Sequence, residues 1–525
     1  MNTLSQPYFF TVKKLLLAAL LFSNLSKAQS IVYSSPRNEN IGSVQYEILG
    51  KYNDHYLIYE SSVYIETEPN NKLGGTGAET IKHEIINHHI NVYDRQMNLI
   101  ATENLSLPEH VSAVRLIPYK SFCYLFYQYQ HGTKFYCLGV KINEQGKITG
   151  TSVQLAVTDG IDYLSVFKMY NIICSEDKKT IAVIKVTEKS SSHLINLTLF
   201  DEQLNQTKEN AFEIPRRPNH DLLSEFKIDN RGNIVFLSSY SDKTALNLIK
   251  RNADSVLAFD LSIKNVGLVN AKLEIDNAKN HYRIFSFYVP QSSNHIKGII
   301  SETWSLDSQK ILSVYNTIFS DELRKEACSK GSIASALDHF FIQNIFLQKD
   351  GGALVESENI YNGLFSKLAH QQFFPDYTSP YLSFDEKKQA TDAPWFSANN
   401  LGSSRNIIDK NILLMFYDSL GRCDTVEVIP KFQKNKEYQN LLGSFPLNTG
   451  ITIEFIYSVR KKGFNYELER ASISFGKEIK FYPSIKDSIS RYRFMCRFGK
   501  QVSANEIIIP GLYQKQLVFG KIDMQ

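Results

Sequence analysis

Hydrophobic and polar positions alternate with period 2 along almost the whole chain, and the apolar positions are rich in Phe, Tyr, Ile and Val. That is the pattern of β-strands packed on at least one face. Two phrases recur. The first is a strand, a polar turn and a second strand, as in "FKIDNRGNIVFL" from Phe226, "LEIDNAKNHYRIFSF" from Leu273 and "IFLQKDGGALVES" from Ile345. The second ends a strand on an aromatic residue and an Asp, as in "NVYDRQMNLIAT" from Asn91, "TLFDEQLNQTKE" from Thr198 and "MFYDSLGRCDTV" from Met415. Helical periodicity is confined to one short candidate, Ser320 to Ser329.

Taking the first phrase as strands A and B and the second as C and D gives units starting near Val44, Val111, Leu164, Leu222, Leu268, Phe340, Leu441 and Ile489. The last unit runs out at Gln525 after three strands, while "SIVYSS" (Ser30 to Ser35) is a strand-like segment left over before the first. A ring in which the N-terminal strand completes the C-terminal unit accounts for both, and closure removes exposed sheet edges. The expectation is therefore an all-β fold: a single β-propeller of four-stranded antiparallel blades, eight in number, or seven if one unit is miscounted. A pair of β-sandwiches or smaller propellers is the alternative, because alternation alone does not specify closure. In this frame Asp94, Asp201 and Asp418 end C strands and fix the turn to D through their own backbone. Gly146, Gly232, Gly351 and Gly421 mark turns that call for φ > 0.

The regular spacing is broken in three places. An insertion at about 66–82 separates strands B and C of blade one, and a longer one at about 362–405 separates the same strands of blade six. The helical candidate is a D to A connection. In such a ring B to C and D to A connections emerge on one face, so all three crowd the same side. The longer insertion holds Phe373, Phe374, Tyr377, Tyr381, Phe384, Trp395 and Phe396. Loops of that length are usually functional or disordered, and this many aromatics disfavours disorder. Two readings stand: the rings plug the central channel, or some of them grip a protein or a sugar. Phe374, Tyr377, Tyr381, Trp395 and Phe396 are the candidate binding residues.

The extreme N-terminus sets an address. Lys13 and Lys14 precede the apolar run "LLLAALLF", and Ser26 and Ala28 stand at −3 and −1 of a cleavage point before Gln29. Residues 1–28 thus read as a signal peptide and 29–525 as the propeller domain, exported to the periplasm or the outer surface. The run is too short to span a bilayer, so no transmembrane segment is expected in the mature chain. The formal charge of the 525-residue chain is +4, and residues 1–28 carry three Lys and no acid, which leaves +1. So small a charge offers nothing to nucleic acid.

Candidate chemistry is sparse. "HEIINH" (His83 to His88) falls short of the zinc signature HExxH, because Asn87 occupies the second His position. The neighbouring His89 and His55 are read with it as solvent-facing strand residues, so no metal and no cofactor are expected. No nucleophile elbow, P-loop or dinucleotide fingerprint occurs. Glu356 and Glu358 share one strand face and are read as a solvated edge. Among the six Cys, a turn at His131–Gly132 sets Cys123 opposite Val140 and Cys137 opposite Phe126, so both are read as buried thiols.

"EILGKYNDHYLIYESSVY" from Glu47, "IFLQKDGGALVESENIY" from Ile345 and "VEVIPKFQKN" from Val426 resemble phrases of secreted, uncharacterised, propeller-like (WD40-like) proteins of the Bacteroidota. The resemblance covers most of the mature chain. It implies export by an envelope of that type and carries over no catalytic residue. The functional expectation is an exported, non-enzymatic binding or scaffold protein that engages an envelope protein or glycan with its insertion-bearing face. The alternative is an envelope hydrolase acting on glycans, with its site at the channel mouth.

Overall fold

The computed structural model describes residues 31–37, 44–69, 80–109, 111–160, 169–215, 222–240, 243–261, 265–293, 295–327, 333–362, 407–435, 441–461, 466–474, 478–485, 492–514 and 516–524. They form eight antiparallel sheets in chain order, each paired A-B-C-D. The A strands begin at Val44, Val111, Asn171, Leu222, Val266, Phe340, Ser444 and Tyr492. The A strands of neighbouring blades approach one another, as in Val44–Tyr52 with Val111–Pro118 and Val266–Asp276 with Phe340–Leu347, and so form the inner ring. The D strands form the rim, and their alternating exposed residues show one face in water.

Closure is visible in the core itself. The buried apolar residues fall into eight clusters, each spanning two neighbouring blades. An open row of eight blades has only seven such interfaces. The eighth joins Ile48, Tyr56 and Ile58 of blade one to Ile508, Leu512 and Phe519 of blade eight. The protein is an eight-bladed β-propeller, so the seven-blade and multi-domain alternatives fall. The N-terminal strand Ile31–Tyr33 is the fourth strand of blade eight, pairing antiparallel Ile31 with Ile522, Val32 with Lys521 and Tyr33 with Gly520. Tyr33 stacks on Tyr492 of the same blade with ring centroids 3.9 Å apart.

The Asp turns behave as their chemistry requires. Asp94 Oδ1 accepts from the backbone N–H of Gln96 and Asn98 at 2.8 Å each, and Asp201 repeats the pattern with Gln203 and Asn205. Asp418 does so with Leu420 and Arg422. The residue three positions after the Asp is left-handed in each case. Gly421 takes that place with φ 92°, but Met97 and Leu204 hold φ 60° and 64°, a strain that the carboxylate's grip on the turn maintains.

Two local expectations need correction, and the helical candidate is found where expected. The hairpin of blade two turns at Gly132–Thr133, one residue later than expected, which sets Cys123 opposite Ile142 and Cys137 opposite Gln128. Both thiols are nonetheless buried and free. The A strand of blade eight is split into Tyr492–Phe494 and Lys500–Gln501 by a 3-10 turn at Cys496–Phe498, not one continuous strand. The helix spans Asp321–Ala327 and tucks Arg324 inward, where its guanidinium donates to the carbonyls of Ile296 and Lys297 at 2.9 Å each.

Candidate functional site

The strand order decides which face each connection occupies. A to B and C to D turns lie on one face, B to C and D to A connections on the other. Blade one extends its B and C strands to His55–Pro69 and Thr80–Tyr93, paired as far as Pro69 with Thr80. Blade six leaves strand B at Asn362 and enters strand C at Ile407. These two, with the helix between blades five and six, all belong to the B to C face. The residues expected to bind, Phe374, Tyr377, Tyr381, Trp395 and Phe396, lie outside the described residues.

The opposite face is made of short, interlocked turns. Asn230 Oδ1 accepts from the Asp177 N–H at 3.0 Å, and Asn277 Oδ1 accepts from the Asn230 N–H at 2.8 Å. A cavity of about 210 Å³ lies there beside Asp229, Arg231, Asp276 and Tyr282. Its most buried acid is already committed. Asp229 accepts from the Arg231 and Asn233 backbone with Oδ1, and from the Asn233 amide and the Tyr282 hydroxyl with Oδ2.

The densest chemistry sits between blades six and seven, at the base of the longest connection. Strand B of blade six, Ala353–Asn362, points alternate residues at blade seven. Leu354 joins the apolar core of that interface with Ile412, Ile453 and Phe455. The next two positions on the same face are Glu356 and Glu358, only 1% and 2% exposed. The expectation of a solvated edge is therefore overturned: these are core positions occupied by acids. Lys431 Nζ donates to Glu358 Oε1 at 2.8 Å and lies 2.9 Å from Asp409 Oδ1, an ion-pair contact without hydrogen-bond geometry. Ser444 of blade seven donates to Glu358 Oε1 at 2.5 Å through its hydroxyl and at 2.9 Å through its N–H. Arg497, from the 3-10 turn that splits blade eight, reaches Glu358 at 3.1 Å. Asn344 on strand A donates to Glu356 Oε2 at 2.7 Å.

These partners separate the proton affinities of the acids. Burial, reinforced by the charge of Glu358, raises Glu356 far above the usual carboxylate range. Burial pushes Glu358 up as well, but Lys431 and Arg497 outweigh it and hold the carboxyl below its ordinary value. Asp409 is raised by burial and by Glu358 against the same two cations. The raised Glu356 favours its protonated form, while Glu358 is held ionised opposite the Lys431 and Arg497 cations. A protonated and an ionised carboxyl side by side resemble an acid-base pair. Both are closed to solvent and fully engaged by protein groups, however, and the geometry as it stands is that of a polar clasp across three blades.

A second buried cluster stands where the ring closes. Glu60 of blade one is fully buried, and Arg37 Nη1, just after the N-terminal strand, donates to its two oxygens at 2.8 and 2.7 Å. His89 Nε2 is 3.3 Å from the same carboxylate, and His88 Nδ1 is 2.7 Å from the Tyr59 hydroxyl. Both histidines are buried, contrary to the solvent-facing expectation. Burial, aided by His89, lowers the His88 pKa to about 4, so His88 is a neutral hydrogen-bonding residue. No group of three metal-ligating side chains occurs among the described residues. Nor is any described helix long and apolar enough to cross a membrane.

The sequence reading missed Asp409, Lys431, Ser444 and Arg497 because they converge from separate strands. The signal it contained was "LVESENI": with Leu354 and Ile360 on the core face, alternation places Glu356 and Glu358 there too.

No protein-family profile matches the chain. No curated protein sequence matches it either. Among solved structures, a prolyl endopeptidase is similar at 7% identity and a TM-score of 0.38, covering 91% of this chain and 55% of its own. The chain thus spans about half the length of that enzyme. A protein from Lactobacillus plantarum is similar at 10% identity and a TM-score of 0.35, covering 84% of this chain and 96% of its own. The polysaccharide lyase Uly1 is similar at 10% identity and a TM-score of 0.37, with 81% and 91% covered. Likenesses this distant carry no functional argument.

Proposed function

We propose that this protein is an exported, non-enzymatic binding or scaffold propeller of the periplasm or outer surface, which engages an envelope protein or glycan with its B to C face. One observation carries the reading: the departures from repeat geometry are concentrated on that face. Blade one lengthens its central hairpin there, 44 residues of sequence separate strands B and C of blade six there, and the helix Asp321–Ala327 packs there. Binding residues concentrate on such connections because the scaffold beneath them is rigid. The buried clasp of Glu358, Lys431 and Arg497 supports this division of labour, anchoring the blade from which the longest connection departs.

The test replaces Tyr377, Tyr381 and Trp395 together with Ala and compares capture of envelope proteins and cell-wall glycans by wild-type and variant protein. The expected result is loss of a specific captured species with the melting temperature unchanged. A variant that melts well below wild type identifies the rings as a plug and defeats the binding reading. A glycan-hydrolase reading has one observation in its favour, the divergent proton affinities of Glu356 and Glu358. It predicts glycan cleavage that Glu358→Gln abolishes.

A further inference from the structure

The inner wall of the ring treats its charges in two different ways. Between blades four and five they are crossed into pairs: Lys227 with Glu274 at 2.7 Å and Lys272 with Glu225 at 2.6 Å. These four side chains stand on the two A strands Leu222–Ile228 and Val266–Asp276 and satisfy one another. Across blades eight, one and two the same wall carries Lys500, Glu47 and Arg115, again one from each A strand. These strands are neighbours, since Val44–Tyr52 touches both Lys500–Gln501 and Val111–Pro118.

Here no pairing occurs. Among the described residues the side chains of Lys500, Glu47 and Arg115 make no hydrogen bond or ion pair with any partner, although each lies in the electrostatic field of the other two. Lys178, from the turn after strand A of blade three, adds a third positive charge to that field while its own ammonium donates to the Pro118 carbonyl. Burial lowers the Lys500 pKa and raises that of Glu47, with the neighbouring charges opposing part of each shift. Three cations against one carboxylate leave an excess of about two positive charges along this wall; Lys500 and Glu47 are half-buried, where unpaired charge is costly, while Arg115 is exposed and open to a ligand from the channel.

We propose that the blade eight, one and two wall of the central channel is a binding site for a small oxyanion of the phosphate or carboxylate class, held by Lys500 and Arg115. Such a ligand supplies the countercharge that the crossed pairs supply on the opposite wall. The Arg115 guanidinium offers a planar fork of donors matched to two oxygens of one anion, and the Lys500 ammonium a point charge. Glu47, where protonated, contributes a donor; where ionised, it sets the selectivity against bulkier anions of higher charge. The site lies in the channel and is independent of the B to C face.

The experiment is calorimetric titration of the full mature chain with inorganic phosphate and, separately, with glucuronate, at constant ionic strength in chloride buffer. Wild type and the double variant Arg115→Met, Lys500→Met are compared. Melting temperatures in chloride confirm that the variant is folded, and the single variant Arg115→Met serves if the double one is not. The expected result is saturable one-to-one binding of at least one probe, weakened tenfold or more in the variant. Tighter phosphate binding assigns the site to phosphorylated ligands, and tighter glucuronate binding assigns it to acidic sugars. Absence of saturable binding of both probes to wild type, or equal binding to the variant, overturns the proposal.

Discussion

Replacing Glu302 with Met tests the strongest single statement the fold makes about buried charge. Glu302 lies on strand C of blade five, Gly298–Ser305, directly between Ile284 and Val314. It shares its sheet face with Ile284 and Trp304, both in the core between blades four and five. Only 4% of the residue is exposed, and Oε1 has no hydrogen-bond partner among the described residues. Burial alone raises its pKa from the ordinary 4.5 to about 7. The folded state therefore holds a proton that the unfolded chain releases near pH 4.5. Stability from this residue is full at low pH, declines as pH rises between about 4.5 and 7, and stays reduced above. Raising this carboxyl from 4.5 to about 7 corresponds, at about 1.36 kcal/mol per tenfold change in proton affinity, to a cost of about 3 kcal/mol at pH 8. With an unfolding entropy of about 2.1 cal/mol/K per residue, a chain of this size changes its melting temperature by about 1 °C per kcal/mol. Glu302→Met keeps the side-chain length and removes the ionisation. Differential scanning calorimetry from pH 5 to pH 8 is expected to show the variant gaining about 3 °C over wild type at pH 8 and little at pH 5. A constant offset across that range, or a variant less stable at pH 8, refutes the reasoning.

Three further outcomes follow from the same structure. Deleting residues 30–35 removes the fourth strand of blade eight and bares the edge of Gln516–Asp523, so the melting temperature is expected to fall and light scattering to rise on heating. Lys431→Met strips Glu358 and Asp409 of a buried cation and is expected to cost on the order of 3–5 kcal/mol in denaturant unfolding, whereas Lys461→Met, at an exposed pair with Glu469, is expected to cost under about 1 kcal/mol. N-terminal sequencing of protein recovered from the envelope is expected to begin at or near Gln29; retention of residues 1–28 on a membrane-embedded product contradicts the export reading.

The repeat was legible because β-strands state their own geometry. Runs of β-branched and aromatic residues such as "NIVFLSSY" or "HYRIFSFYVP" need only neighbours in the chain, and a turn such as that at Asp201 is built from atoms within four residues of the Asp. Even closure could be read, since a fourth strand missing at one end and a spare strand at the other have one economical solution. What the chain alone did not disclose is where its charges point. Glu356 and Glu358 look the same as any polar pair until blade seven is set against their face, and Lys431, Ser444 and Arg497 come from positions 73, 86 and 139 residues away. The same holds for Lys500 and Glu47, whose strands touch only because the first and last blades adjoin. Local hydrogen bonding and the two-residue period act over a few ångströms of chain and so are written in sequence order. Desolvation and charge pairing depend on distances through space, and only the closed ring sets those.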